Sequence, residues 1–173
     1  TGIMDYEKGQ LFFDDIEISQ LSLSWLRKNL TYLPQEPRFI DGTLLDNMIG
    51  SREISKNDFQ QVIQRIGLED MINSDPKGVN LLMSDKGETL PVGIRKRIAL
   101  GRALFVGGKL VIMDEPTEGL DAAGRNSVYQ IIDELVKDNK TVIVATQDDE
   151  IMDNAKNIID LDKKPIPGTQ SIN

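Results

Sequence analysis

Between residues 110 and 161 the chain alternates short apolar runs with amphipathic stretches, and no other feature restricts its fold as strongly. Leu110 to Asp114 reads as a strand. A helix follows over about residues 122–137, with Val128, Ile131, Ile132 and Leu135 at i, i+3, i+4 and i+7. Thr141 to Thr146 is a second strand, Glu150 to Ala155 a helix, and Asn157 to Leu161 a third strand. Apolar runs separated by helices are the pattern of parallel strands buried on both faces, which predicts a doubly wound α/β layer.

Upstream, Gln10 to Phe13 reads as a strand closed by an Asp14–Asp15 turn, and Leu30 to Leu33 as another, stopped by Pro34. SLSWLRKN between them fits one or two helical turns. From Ser55, a candidate N-cap, the period becomes 3.6, with Phe59, Val62, Ile63 and Ile66 on one face and Gly67 as a stop. A longer helix is expected from Pro91 to Phe105, proline suiting the first helical position and Gly107–Gly108 the exit. The chain therefore divides into an α/β core (1–40 and 107–162), an inserted helical subdomain (41–106) and an irregular tail (163–173).

Composition removes several chemistries. Acidic residues number 28 against 20 basic ones, and the net charge of −8 opposes attraction to nucleic acid or an anionic membrane surface. With no cysteine there is neither a disulfide nor a thiolate metal site, and with no histidine the commonest general base is missing. No apolar run approaches the roughly 20 residues of a membrane span. The start at Thr1, without a methionine or a signal-peptide pattern, reads as a cut inside a longer polypeptide.

The chemistry concentrates in GKLVIMDEPTEGLD, residues 108–121. An apolar strand ends in adjacent carboxylates, at the strand end where ligands gather in open α/β sheets. Asp114 there can hold Mg²⁺, and Glu115 can orient or deprotonate a water. A phosphate-cradling GxxxxGK[ST] loop is absent; Gly108–Lys109 is followed by Leu110 and preceded by Ala103 where the first glycine would stand.

These motifs resemble the nucleotide-binding domain of ATP-binding cassette (ABC) transporters: VIMDE has the form of Walker B, EGLD (118–121) of the D-loop, YLPQEP of the Q-loop, and TVIVATQ of the strand leading to the switch residue. LPVGIRKRIALGRAL, DEPTEGLDAAGR and IDLDKKPIP resemble, more narrowly, ATPase domains of bacterial type I secretion exporters. The resemblance implies a P-loop NTPase-like (RecA-like) fold lacking its N-terminal part, ATP and Mg²⁺ as cofactors, and hydrolysis that powers transport. It further implies head-to-tail pairing with a second ATPase domain, contact with a transmembrane domain through the Q-loop region, and a place at the cytoplasmic face of the bacterial inner membrane.

Residue by residue, it makes Asp114 and Gln35 the metal contacts and Glu115, Gln147 and Gln35 the catalytic ones. Pro91, Val92, Gly93, Ile94 and Asp121 would meet nucleotide bound by the partner. Alone, a glutamine between two prolines reads more readily as a solvated loop residue, and the downstream motifs reverse that. Phe39 and Ile40, ahead of a helix start at Thr43, suit a membrane-domain contact or the core equally.

Two departures stand out. Where the family usually reads LSGGQ, this chain has Leu90 to Ile94 as LPVGI. Pro91 lacks both the hydroxyl and the N–H, leaving the amides of Val92, Gly93 and Ile94 and a helix end worth about half a positive charge. Losing one hydrogen bond to a charged group costs roughly 1.5–3 kcal/mol, about one to two orders of magnitude, unless Thr89 replaces it. Gln147 stands at the usual histidine; its amide can donate to a phosphate but carries no proton, and it could instead cap the next helix, for which Asp148 is the better candidate.

The run Arg95, Lys96, Arg97 reads as a solvated or salt-bridged helix face, and nucleic acid is not an expected partner. Walker A is expected just upstream of Thr1, so residues 1–173 alone should bind ATP weakly or not at all. The competing function is a nucleotide-gated clamp that dimerises without turnover.

Overall fold

A parallel sheet of three strands organises the molecule, which a computed structural model describes over residues 9–161 and 163. Strands β3 (Leu30–Leu33), β6 (Leu110–Asp114) and β7 (Thr141–Ala145) lie in the order β3-β6-β7, each pair parallel. Register aligns Thr31 with Val111 and Val142, and Leu33 with Met113 and Val144. Those rows face the core: Thr31, Leu33, Val111 and Met113 are buried.

The opposite face departs from the expectation of strands buried on both sides. There Tyr32 pairs with Ile112 and Ile112 with Ile143, and Tyr32 and Ile143 stay 42% and 52% exposed. Among the described residues no strand pairs with the outer edge of β7. Parallel sheets are normally covered on both faces, and among the described residues no helix covers this one. The same geometry corrects the strand expected over Asn157 to Leu161, which does not form: Ile158, Ile159 and Leu161 are 64%, 85% and 92% exposed. An apolar run becomes a strand only by pairing, and among the described residues no strand pairs with this run.

Ahead of the sheet, β1 (Phe12–Phe13) and β2 (Ile16–Glu17) make a small antiparallel hairpin, shorter than the Gln10 to Phe13 run suggested. Asp14 and Asp15 turn it at φ 47° and 63°, a left-handed pair that short aspartates tolerate. Helix α1 (Leu23–Asn29) starts where Ser22 accepts a hydrogen bond from the Trp25 amide.

Between β3 and β6 lie α2 (Leu44–Ile49), α3 (Lys56–Arg65), α4 (Glu69–Ser74) and α5 (Val92–Val106), with one antiparallel pair, β4 (Gly42–Thr43) and β5 (Leu82–Met83). Thr43 and Asp46 form a reciprocal capping box on α2, and Ser55 caps α3 as its sequence predicts. Pro91 is the cap of α5, one position outside the helix it was expected to begin. A Cβ on Gly101 of α5 would meet Met48 Cε and Ile66 Cδ1, so those side-chain ends fill the space its missing methyl leaves.

Gly107 ends α5 at φ 66°, and Gly108 serves a different purpose. A Cβ there would lie 2.7 Å from Asn29 O, and its N–H donates to buried Thr31 Oγ1 at 2.9 Å, which docks the start of β6 against β3. After β6, α6 (Ala122–Lys137) and α7 (Asp149–Asp153) follow with aspartate caps, Asp121 and Asp148. One core cluster runs through the molecule from Met48 and Ile66 to Met113 and Ile131. Among the described residues no helix is long and apolar enough to cross a membrane. The expected irregular tail lies outside the described residues, apart from Lys163.

Candidate functional site

The carboxyl end of β6 is where the sheet delivers its polar groups. Asp114 is its last residue and half-buried; Glu115 then turns the chain at φ 43°, a left-handed conformation costly for a side chain of this size. Contacts at three of its groups hold it there. Its N–H donates to Ala145 O at 2.9 Å, continuing the ladder to β7; its carbonyl accepts from Lys96 Nζ at 2.8 Å and from the Glu118 N–H at 3.3 Å; its Oε2 accepts from Thr146 Oγ1 at 3.2 Å. Backbone and carboxylate are thus both fixed.

Gln35 leaves the end of β3 exposed and donates through Nε2 to Glu118 Oε2 at 3.1 Å. A carboxylate only accepts, so this contact dictates the amide orientation and leaves Gln35 Oε1 available to a cation. Lys96 Nζ approaches the same Glu118 oxygen at 3.4 Å. Hydrogen bonds from Gln35 first, then Lys96, hold the Glu118 carboxyl below its ordinary range. Gln147 follows Thr146 directly; it is exposed and does not cap α7.

That cap is Asp148, as its sequence position suggested: it accepts from the Glu150 and Ile151 amides and from Tyr129 OH at 2.9 Å. Burial raises its carboxyl pKa, but hydrogen bonds from Thr117, Tyr129 and the two amides outweigh it and leave a net lowering.

A second group gathers at the start of α5. Pro91 and Val92 are exposed, and no side chain caps the helix. Gly93 faces the following turn: a Cβ on it would lie 3.5 Å from Gly119 O. Asp121 Oδ1 caps α6 through the Gly124 amide at 2.8 Å and pairs with Arg97 Nη2 at 2.7 Å. The structure therefore brings Gln35, Asp114, Glu115 and Gln147 to one corner, and Pro91 to Ile94 with Asp121 to another.

Lys96 is what the sequence reading passed over. It is 6% exposed, and Arg97 next to it donates to Ile66 O at 2.9 Å as well as to Asp121; two members of the basic triplet, Lys96 and Arg97, are thus salt-bridged. The signal was there: Lys96, Ala99, Leu100 and Ala103 stand at i, i+3, i+4 and i+7 and are all buried. Glu118 and Thr146 had no comparable signature. Phe39 and Ile40 part company, Phe39 buried under the Arg102 guanidinium at 4.9 Å and Ile40 65% exposed.

The donor set suits a cation that brings most of its own ligands. Among the described residues no group of three or more His, Cys, Asp or Glu could hold a metal. Mg²⁺ at a phosphate needs only one or two carboxylates beside water and phosphate oxygens, which Asp114 with Gln35 Oε1 can supply. Nothing among the described residues supplies a ring of amides for the phosphates themselves.

Comparison with known proteins follows the same lines. The family profile described as ABC transporter matches residues 1–118. The chain is 32% identical over 142 residues to multidrug resistance protein pgp-1 of Caenorhabditis elegans, covering 82% of this chain and 11% of that protein. It is 31% identical over 147 residues to the glutathione/L-cysteine transport system ATP-binding/permease protein CydC of Escherichia coli strain K12, covering 84% and 25%. The chain thus spans a quarter or less of the length of these relatives. A bacterial Atm1-family ABC exporter solved with ATP bound superposes with a TM-score of 0.78 at 22% identity, over 86% of this chain and 26% of that one.

Proposed function

Because the chain belongs to the ABC transporter family, we propose that it is part of an ATP-binding and ATP-hydrolysing domain that powers an exporter. The observation that carries this is the three-point fixation of Glu115 beside Asp114. A general base contributes only if it is held within hydrogen-bond reach of the proton it takes, and Thr146 holds this carboxylate in place without using up both oxygens.

In this reading Asp114 and Gln35 Oε1 face Mg²⁺, which when bound neutralises charge on the β- and γ-phosphates. Glu115 orients and deprotonates the attacking water. Gln147 donates its amide to the γ-phosphate; without a titratable switch residue, the proton remains with Glu115. Pro91 to Ile94 and Asp121 serve a partner's nucleotide in a head-to-tail dimer, the three free amides of Val92, Gly93 and Ile94 replacing the usual serine and glycines.

The phosphate loop belongs with a further parallel strand along the open edge of β7, followed by a helix over Tyr32, Ile112 and Ile143. The exposed apolar row and the unpaired edge support that placement. Exposed Ile40 is the chain's contact for a transmembrane domain, and LPVGIRKRIALGRAL supports the narrower bacterial type I secretion affiliation, with the domain at the cytoplasmic face of the inner membrane.

The test uses the complete polypeptide with its phosphate loop. ATP hydrolysis that falls about 10²–10⁴-fold in Glu115→Gln, with ATP binding retained, supports the reading. Binding and dimerisation without phosphate release in the unaltered protein would overturn it in favour of the nucleotide-gated clamp.

A further inference from the structure

Lys96 is a costly residue to bury. Its ammonium is almost wholly withdrawn from water, yet among the described residues its short hydrogen bond is to a backbone carbonyl and its carboxylate, Glu118, is 3.4 Å away on an exposed side chain. Desolvating an ammonium outweighs what a half-solvated pair returns. A contribution to stability therefore does not account for the arrangement, whereas its position does: one ammonium touches both the Glu115 backbone and the acceptor that orients Gln35.

We propose that Lys96 and Glu118 are a positioning pair, through which α5 sets the Glu115 carboxylate and the Gln35 amide oxygen relative to each other. Lys96 pins the carbonyl of Glu115, which stabilises the left-handed turn that aims its side chain at Thr146. Glu118, which also accepts from Lys96, is an acceptor and so can bond Gln35 only through its NH₂, which presents Gln35 Oε1 outward. Neither residue touches substrate. Because both contacts originate on one lysine of α5, a rotation of that helix moves Gln35 and Glu115 together.

The role rests on the ATPase reading for its metal and its water, but half of its test does not. In residues 1–173, the side-chain amide signals of Gln35 in a ¹⁵N–¹H correlation spectrum report its bond to Glu118. Lys96→Met, which keeps the stem and removes the donor, and Glu118→Ala should both move them to the position of a free glutamine; Lys109→Met, on the exposed surface, should not. In the complete polypeptide Lys96→Met should lower kcat about tenfold with the KM for ATP unchanged. Lys96→Gln, which restores an NH₂ donor, should recover most of the loss.

Gln35 signals unmoved by Lys96→Met, or a kcat that Lys96→Gln fails to raise above Lys96→Met, would overturn the positioning role. If the unaltered polypeptide hydrolyses no ATP, the ATPase reading falls, and the Gln35 signals alone decide whether the pair exists.

Discussion

Glu115 and Pro91 open two turns that face nucleotide in the proposed mechanism, and the fold treats them in opposite ways. Glu115 is held at its amide, its carbonyl and its carboxylate by three different elements, β7, α5 and the residue after β7. Pro91 stands just ahead of α5, which no side chain caps, and lies exposed beside Val92. The first corner is finished within one chain. The second offers amides outward and, in the proposed dimer, would meet its partners on another molecule, so substitution at the first should alter rate and at the second affinity between copies.

The largest effect expected is at the finished corner, where Glu115→Gln removes the base itself and hydrolysis should fall by about 10²–10⁴-fold. At the open corner, Pro91→Ser restores a hydroxyl cap and an amide; ATP-dependent dimerisation of the complete domain, read by light scattering, should tighten by about one to two orders of magnitude. If the gain appears in kcat instead, the division between the two corners is wrong.

Thr146→Val keeps the volume and deletes the hydroxyl that holds Glu115 Oε2, and should cost about two- to tenfold in kcat at unchanged dimer affinity. The smallest effect concerns α2, which packs on α5. Bonds from the Thr43 hydroxyl and amide hold the Asp46 carboxyl below its ordinary range. A lowered folded-state pKa stabilises above the ordinary aspartate range, and that contribution is lost as pH falls through the folded value. Circular dichroism melts should show Asp46→Asn removing a small part of the acid sensitivity, with activity near neutral pH affected least of all the variants.

Much of this was legible in the residues, for reasons that differ by region. Leu110–Asp114 and Ala122–Lys137 emerge with the bounds their periodicity gave, because local pattern and tertiary environment agree there. Asn157 to Leu161 has a comparable apolar pattern and forms no strand, since pairing is supplied from outside the segment. Asp114, Glu115 and Gln35 could be read from residue type and position, whereas Glu118 and Thr146 matter only through contacts with residues 83 and 31 positions away in sequence. Lys96 was readable in principle, but a triplet of cations was judged by its charge and not by which of its members fell on the buried side of α5. Phe39 and Ile40 were inseparable by type; the Arg102 guanidinium over one ring distinguishes them.

The uncovered sheet face and the free edge of β7 also govern how the isolated chain behaves in a tube. A row of Tyr32, Ile112 and Ile143 beside the outer edge of the TVIVA strand, which no strand among the described residues occupies, is a template onto which a second copy can add strands, the first step of a growing fibril. What keeps copies apart is mutual repulsion from a net charge of −8, and dissolved salt shortens the range of that repulsion. Added salt is therefore expected to hasten self-association of the isolated chain.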